Sequence, residues 1–118
     1  AQLLARAEEL ELARRREAMR RQAQARAAAA AARERELDAL GRRGASAWRE
    51  LDQLVEARSY DEAVRLAMDL REVAVRANGA EEFDRRLAEV RQRYARRRAF
   101  LDRLRRADPA LVGDPAQR

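Results

Sequence analysis

Between positions 46 and 104 the chain carries eighteen large apolar residues, including every aromatic, whereas residues 1–44 carry seven. Those seven are Leu3, Leu4, Leu10, Leu12, Met19, Leu37 and Leu40, and Met19 stands alone between Leu12 and Leu37. Where apolar positions are dense they recur every three or four residues, the period of a helix face. Trp48, Leu51 and Val55, with Leu54 beside them, predict a helix running to about Ala57 with Ser46 as its N-cap. Ser59 and Glu62 have the spacing of a capping box and open a helix that reaches about Ala77. On that helix Glu62, Arg65, Asp69, Glu72 and Arg76 form a single polar stripe. Apolar residues fill the rest of its circumference, the pattern of a central helix packed on two neighbours. Asn78-Gly79 ends it, because both residue types tolerate the left-handed backbone of a helix C-terminus. The last helix, about Ala80 to Arg106, places Phe83, Leu87, Val90, Tyr94, Arg97, Leu101 and Leu104 at alternating spacings of four and three. Only Arg97 breaks that pattern, and Asp108-Pro109 closes the helix.

The front of the chain behaves differently. Residues 2–40 contain neither proline nor glycine and consist almost wholly of strong helix formers. Ala27 to Ala32 lose no side-chain entropy on becoming helical, and Glu11–Arg15 and Glu17–Arg21 are i,i+4 pairs in the favourable order. A helix of about 39 residues would reach ~60 Å. It has the propensity to form but no apolar stripe along its length, so it is expected to be mostly exposed, rooted by Leu37 and Leu40. Gly41-Arg42-Arg43-Gly44 stops it, with Gly41 where a left-handed cap is wanted. No strand-like alternation occurs. The expected fold is all-α, a long N-terminal helix projecting from a three-helix antiparallel bundle. Its parts are an Ala/Arg-rich helical arm (1–40), a glycine hinge (41–45), the bundle (46–107) and a flexible tail (108–118).

Composition removes most chemistry. All 27 basic residues are Arg, the acids number 21 and the net charge is +6. With no Cys and no His, disulfides, zinc-thiolate sites and imidazole catalysis are excluded. Lys is absent too, so the usual general acid–base groups reduce to carboxylates, most of which have an Arg three or four residues away. Glu8-Glu9 and Glu81-Glu82 are paired carboxylates that could in principle hold a divalent metal. Adjacent helical residues point about 100° apart, however, and Glu81-Glu82 suits a helix N-terminus. Ser46 and Ser59 read as caps, and no glycine-rich phosphate loop occurs. The chain is therefore expected not to be an enzyme, and to need no cofactor, no metal and no small-molecule substrate.

What remains is surface. The distal leucines Leu3, Leu4, Leu10 and Leu12 group where a core is absent, which marks a protein-contact surface. Positive charge concentrates at the two ends of the chain. The densest clusters are Arg14, Arg15 and Arg16 with Arg20 and Arg21, and Arg96, Arg97 and Arg98 with Arg105 and Arg106. Arg14 and Arg21 share a helix face that would track a phosphate backbone, although no aromatic side chain lies among them to stack bases. All-Arg basicity is also the habit of a GC-rich genome, which weakens the case for phosphate recognition. Residues 13–36 offer Ala and one Met in place of the bulky face of an interfacial membrane helix, and no run approaches a membrane span. With no charged-then-apolar leader, a cytoplasmic location is expected. A first residue of Ala instead of Met reads as a processed product or part of a longer chain.

One resemblance covers about half of the sequence. Trp48, Leu51 and Val55, then Tyr60-Asp61-Glu62-Ala63-Val64, Asp69-Leu70-Arg71, Phe83 with Arg86-Leu87, and Arg96-Arg97 ahead of Phe100-Leu101 and Leu104 follow one another in order. This series resembles the helical C-terminal region of actinobacterial SWIM zinc-finger family proteins. The resemblance implies a helical appendage to a zinc-binding domain that binds DNA or proteins; the zinc ligands do not carry over, because this chain has no Cys or His. Tyr60-Asp61-Glu62-Ala63-Val64 also has the look of a tetratricopeptide helix, but Glu82 stands one period after Trp48 and no second copy follows. The functional expectation is a non-enzymatic docking or scaffolding module that contacts a protein partner or pairs as a homo-oligomer. The competing class is an Arg-rich accessory module for DNA or RNA.

Overall fold

The computed structural model describes residues 2–107, and the expected tail at 108–118 lies outside them. The described residues form five α-helices and no strand: α1 (Gln2–Arg43), α2 (Ala45–Glu56), α3 (Tyr60–Arg76), α4 (Ala80–Arg93) and α5 (Arg98–Ala107). The protein is all-α. The chain divides into two units, Ala1–Glu36 and Leu37–Arg118.

In the first unit, α1 is exposed at almost every described position. Its stability comes from local terms: alanine-rich propensity and same-helix ion pairs such as Arg15–Glu11 at 3.2 Å, Arg21–Glu17 at 3.4 Å and Arg33–Glu36 at 3.7 Å. Such exposed pairs contribute a few tenths of a kcal/mol each.

In the second unit the core is wholly apolar: no polar or charged residue is buried among the described residues, and no buried side-chain polar atom lacks a partner. Leu40, Ala47, Leu51, Val55, Ala63, Val64, Ala67 and Leu70 join Phe83, Leu87, Val90, Tyr94, Phe100 and Leu104 in one cluster. Helix α3 is central, as its wide apolar arc foretold, but its main contacts are with three neighbours, α2, α4 and α5, instead of two. Its small residues Ala63 and Ala67 are fully buried, which lets the neighbouring helices approach closely.

Three local expectations are corrected. The first helix does not stop at Gly41; it continues to Arg43, and the left-handed residue is Gly44, at φ 53°. A Cβ on Gly41 would lie 3.2 Å from Val73 Cγ1, so this glycine gives α3 room instead of ending α1. Ser46 does not cap α2, whose N-cap is Gly44; its hydroxyl donates to the Arg43 carbonyl at 2.9 Å, serving the end of α1. Glu50 holds Arg43 across the same corner at 2.7 Å. Nor does Ser59 build a capping box: it is the N-cap of α3 but makes no side-chain capping hydrogen bond.

The largest difference concerns the last helix, which divides into α4 and α5 at residues 94–97. Neither Gly nor Pro lies there. The break is a tertiary effect overriding propensity: it brings Phe100 and Leu104 to full burial while Tyr94 stays buried. The Tyr94 ring stands edge-on to Phe100 at 6.4 Å, and Tyr60 packs on the same ring at 5.9 Å. Arg97, the residue that spoils the heptad pattern, sits at the break. Its guanidinium donates to the Tyr60 hydroxyl at 3.4 Å and pairs with Glu56 at 3.2 Å.

The other corners are alike. At the end of α2, the amide of Arg58 donates to the Val55 carbonyl and that of Ser59 to the Leu54 carbonyl, with Arg58 at φ 60°. At the end of α3, Asn78 donates to Val75 and Gly79 to Ala74, with Asn78 at φ 60°. Both are Schellman motifs, in which backbone amides beyond the helix satisfy its last carbonyls. Asn78-Gly79 thus ends α3 as expected, with Asn78 as the left-handed residue.

Candidate interaction surfaces

The four leucines singled out in the sequence all lie on α1 and all face solvent: Leu3 is 84% exposed, Leu4 70%, Leu10 58% and Leu12 48%, with Met19 at 68%. They do not form one patch. Residues seven apart return to nearly the same helix face, so Leu3 aligns with Leu10, and Leu12 with Met19. Leu4 lies beside the second pair and roughly opposite the midpoint between the first pair and Arg16. The outer segment therefore presents two apolar strips on different sides of one helix.

The arginines of α1 separate into paired and unpaired. Arg15 is held by Glu11, and both Arg20 and Arg21 by Glu17. Arg14 and Arg16 are exposed. In the second cluster Arg97 is half buried and engaged by Glu56 and Tyr60, while Arg96 and Arg98 stand exposed on either side of it. The triplet is therefore not a uniform basic patch: its middle member braces the α4–α5 break, and its outer members face water. Farther along α5, Arg105 pairs with Asp102 at 2.8 Å, and Arg103 reaches Asp61 at 3.5 Å while lying over the Tyr60 ring.

A feature that sequence reasoning missed is an open apolar cleft of about 240 Å³ in the second unit. Trp48 and Phe83 form one wall, with ring centroids 5.7 Å apart, and Leu40, Leu70 and Val73 line it as well. Arg86 lies over the Trp48 ring at 5.8 Å and pairs with Glu82 at 3.0 Å. Trp48 is thus half buried, not a core residue proper. The signal was present in the three glycines Gly41, Gly44 and Gly79 that border the cleft, since absent side chains leave room that apolar periodicity does not report.

Electrostatics here is that of surface pairing. Hydrogen bonds from Arg85 and Arg86 hold the Glu82 carboxyl below its ordinary range. Arg85 bridges Glu82 at 2.5 Å and Glu89 at 2.8 Å. Glu82 is therefore bound up with two guanidinium groups. No group of three metal-ligating side chains occurs among the described residues, and no helix among them is long and apolar enough to cross a membrane. Burial pushes the Tyr94 hydroxyl up, helped by the nearby Asp52 carboxylate, and that hydroxyl donates to the Asp52 carbonyl at 3.4 Å. Asp52 also receives Arg93 at 2.7 Å.

No family model, curated protein or solved structure matches this chain.

Proposed function

We propose that this chain is a non-enzymatic helical docking module: residues 37–107 form the folded root, a small antiparallel helical bundle, and the outer part of α1 is the element that engages a protein partner. The observation that carries this reading is the exposure of Leu3, Leu4, Leu10 and Leu12 on a helix that local terms alone can hold together. Large apolar side chains grouped in water are costly unless something covers them part of the time. The wholly apolar core and the paired carboxylates support a structural role over catalysis. The likeness of residues 48–104 to the helical region of SWIM zinc-finger proteins fits an appendage that serves a larger assembly.

Photo-crosslinking from position 10, in cells that make the protein, tests the proposal. A discrete adduct that disappears with Leu3→Asp is expected, with far-UV circular dichroism unchanged. Crosslinking indifferent to that substitution would refute it. Exposed Arg14, Arg16, Arg96 and Arg98 favour a second reading, contact with DNA or RNA. That reading requires duplex or RNA affinity that falls steeply with salt and is lost when Arg14, Arg15, Arg20 and Arg21 are neutralised.

A further inference from the structure

The second apolar strip of α1 carries its own answer to what covers it. Leu4, Glu8, Leu12, Arg15 and Met19 follow at spacings of four, four, three and four, which keeps all five within a narrow arc of the helix. All five are exposed. The series is self-complementary when read backwards. Turned end for end about a point between Glu11 and Leu12, Leu4 faces Met19, Glu8 faces Arg15, and the two Leu12 side chains meet near the centre. The wider charge pattern agrees. Residues 2–12 hold three carboxylates and one Arg, whereas residues 13–26 hold six Arg and one carboxylate.

We propose that α1 pairs antiparallel with α1 of a second copy of this chain through the strip Leu4–Glu8–Leu12–Arg15–Met19, about a two-fold axis near Leu12. This deepens the docking reading and rests on it, by naming the partner of one of its two faces. A two-fold contact requires that the residue facing position i on one copy be faced by i on the other, and this strip meets that condition. The antiparallel arrangement lays the acidic block of each copy on the basic block of the other. A parallel arrangement in register would set Glu8, Glu9 and Glu11 against themselves and Arg14, Arg15 and Arg16 against themselves, so like charge selects against it. Arg15 gives up little in turning to Glu8 of the other copy, because its present bond to Glu11 is an exposed same-helix pair. The overlap from Leu4 to Met19 is only about 24 Å long and offers three large apolar side chains per copy. The pairing is accordingly weak and salt-sensitive.

Charge reversal on the full chain tests this by sedimentation equilibrium at low salt. The wild-type chain is expected to dimerise reversibly, and Glu8→Arg or Arg15→Glu alone to weaken that dimer about tenfold, since each creates two like-charge crossings. Mixing the two variants should restore association as a heterodimer, and both substitutions in one chain should restore the homodimer. Register is read separately by introduced thiols, which have no competitor in a chain without Cys. Leu12→Cys should crosslink to itself on oxidation, and Leu4→Cys should crosslink to Met19→Cys but not to itself. A chain that stays monomeric up to millimolar concentration, an equal-strength dimer in every charge variant, or self-crosslinking of Leu4→Cys would each overturn the proposal. Leu3 and Leu10 lie on the other face, so their docking test stands or falls independently.

Discussion

Replacing Phe100 with Ala probes the break that divides α4 from α5. Phe100 is fully buried, touches the rings of Tyr60 and Tyr94, and lies on a ten-residue helix whose other fully buried side chain is Leu104. Removing a buried Phe costs about 3–5 kcal/mol. A unit of the size of residues 37–107 has a total stability of roughly 4–11 kcal/mol at the usual value per residue. The substitution therefore removes a large share of what holds the unit folded, and a melting temperature lowered by at least about 12 °C is expected. The effect should be confined to the cooperative transition, because residues 2–36 take no part in that core. Thermal circular dichroism would show this as the sigmoidal step displaced to lower temperature, with the gradual, non-cooperative helix melting unchanged. Hydrogen exchange adds a local readout: the Arg97 and Leu101 amides, which donate to Tyr94 and Arg97 at 2.9 and 3.1 Å, should lose protection first. A shift below about 4 °C, with those amides still protected, would mean that α5 does not owe its position to this ring. The tertiary explanation of the break would then fail.

Three further outcomes are expected. Arg58→Gly should raise stability by about 0.5–1 kcal/mol in urea titrations, because a non-glycine residue at φ 60° is strained; a loss of stability would contradict the Schellman corner. Trp48→Ala should cost about 2 kcal/mol, less than for a core tryptophan, since the ring is half buried between Phe83 and Arg86. A cost above about 4 kcal/mol would place the ring deeper than its exposure indicates. The third concerns alkaline pH. Tyr94 has its hydroxyl pKa raised in the folded state, so between its unfolded value near 10 and its higher folded value the native chain binds more protons, and stability falls as pH rises. Urea titrations at pH 9 and pH 11 should show a smaller drop for Tyr94→Phe than for the wild type, and an identical drop would refute the assignment.

How far the sequence disclosed this structure depends on which physical signal each element left in it. The long exposed helix and the central position of α3 were legible, because propensity without an apolar stripe and an apolar arc on two sides are both local patterns. Asn78-Gly79 was legible for the same reason. The α4–α5 break was not: its cause lies in the distant ring of Tyr60 and the carboxylate of Glu56, and heptad spacing continues through it undisturbed except at Arg97. A run of three arginines conceals which member turns inward, and here it is Arg97. The cleft beside Trp48 leaves no trace in apolar periodicity, because its sequence signal is the three glycines that border it. Residue type alone makes Gly41 a stop signal, whereas the nearby Val73 methyl is what requires it. The four leucines are exposed, and their division into two strips follows from seven-residue spacing on a helix unbroken from Gln2 onward.

The paired corners after α2 and α3 have a consequence for how this unit tolerates change in length. Each connects its helices through three residues and two backbone bonds, so the rotational phase of one helix is geared to that of the next. Inserting a single residue at position 58 or 78 would break the two amide-to-carbonyl bonds of that corner and change the direction in which the next helix sets out. Ala63 and Ala67, or Phe83 and Leu87, would then meet their core neighbours out of register. Three residues, with a positive φ at Arg58 or Asn78, are what each corner requires.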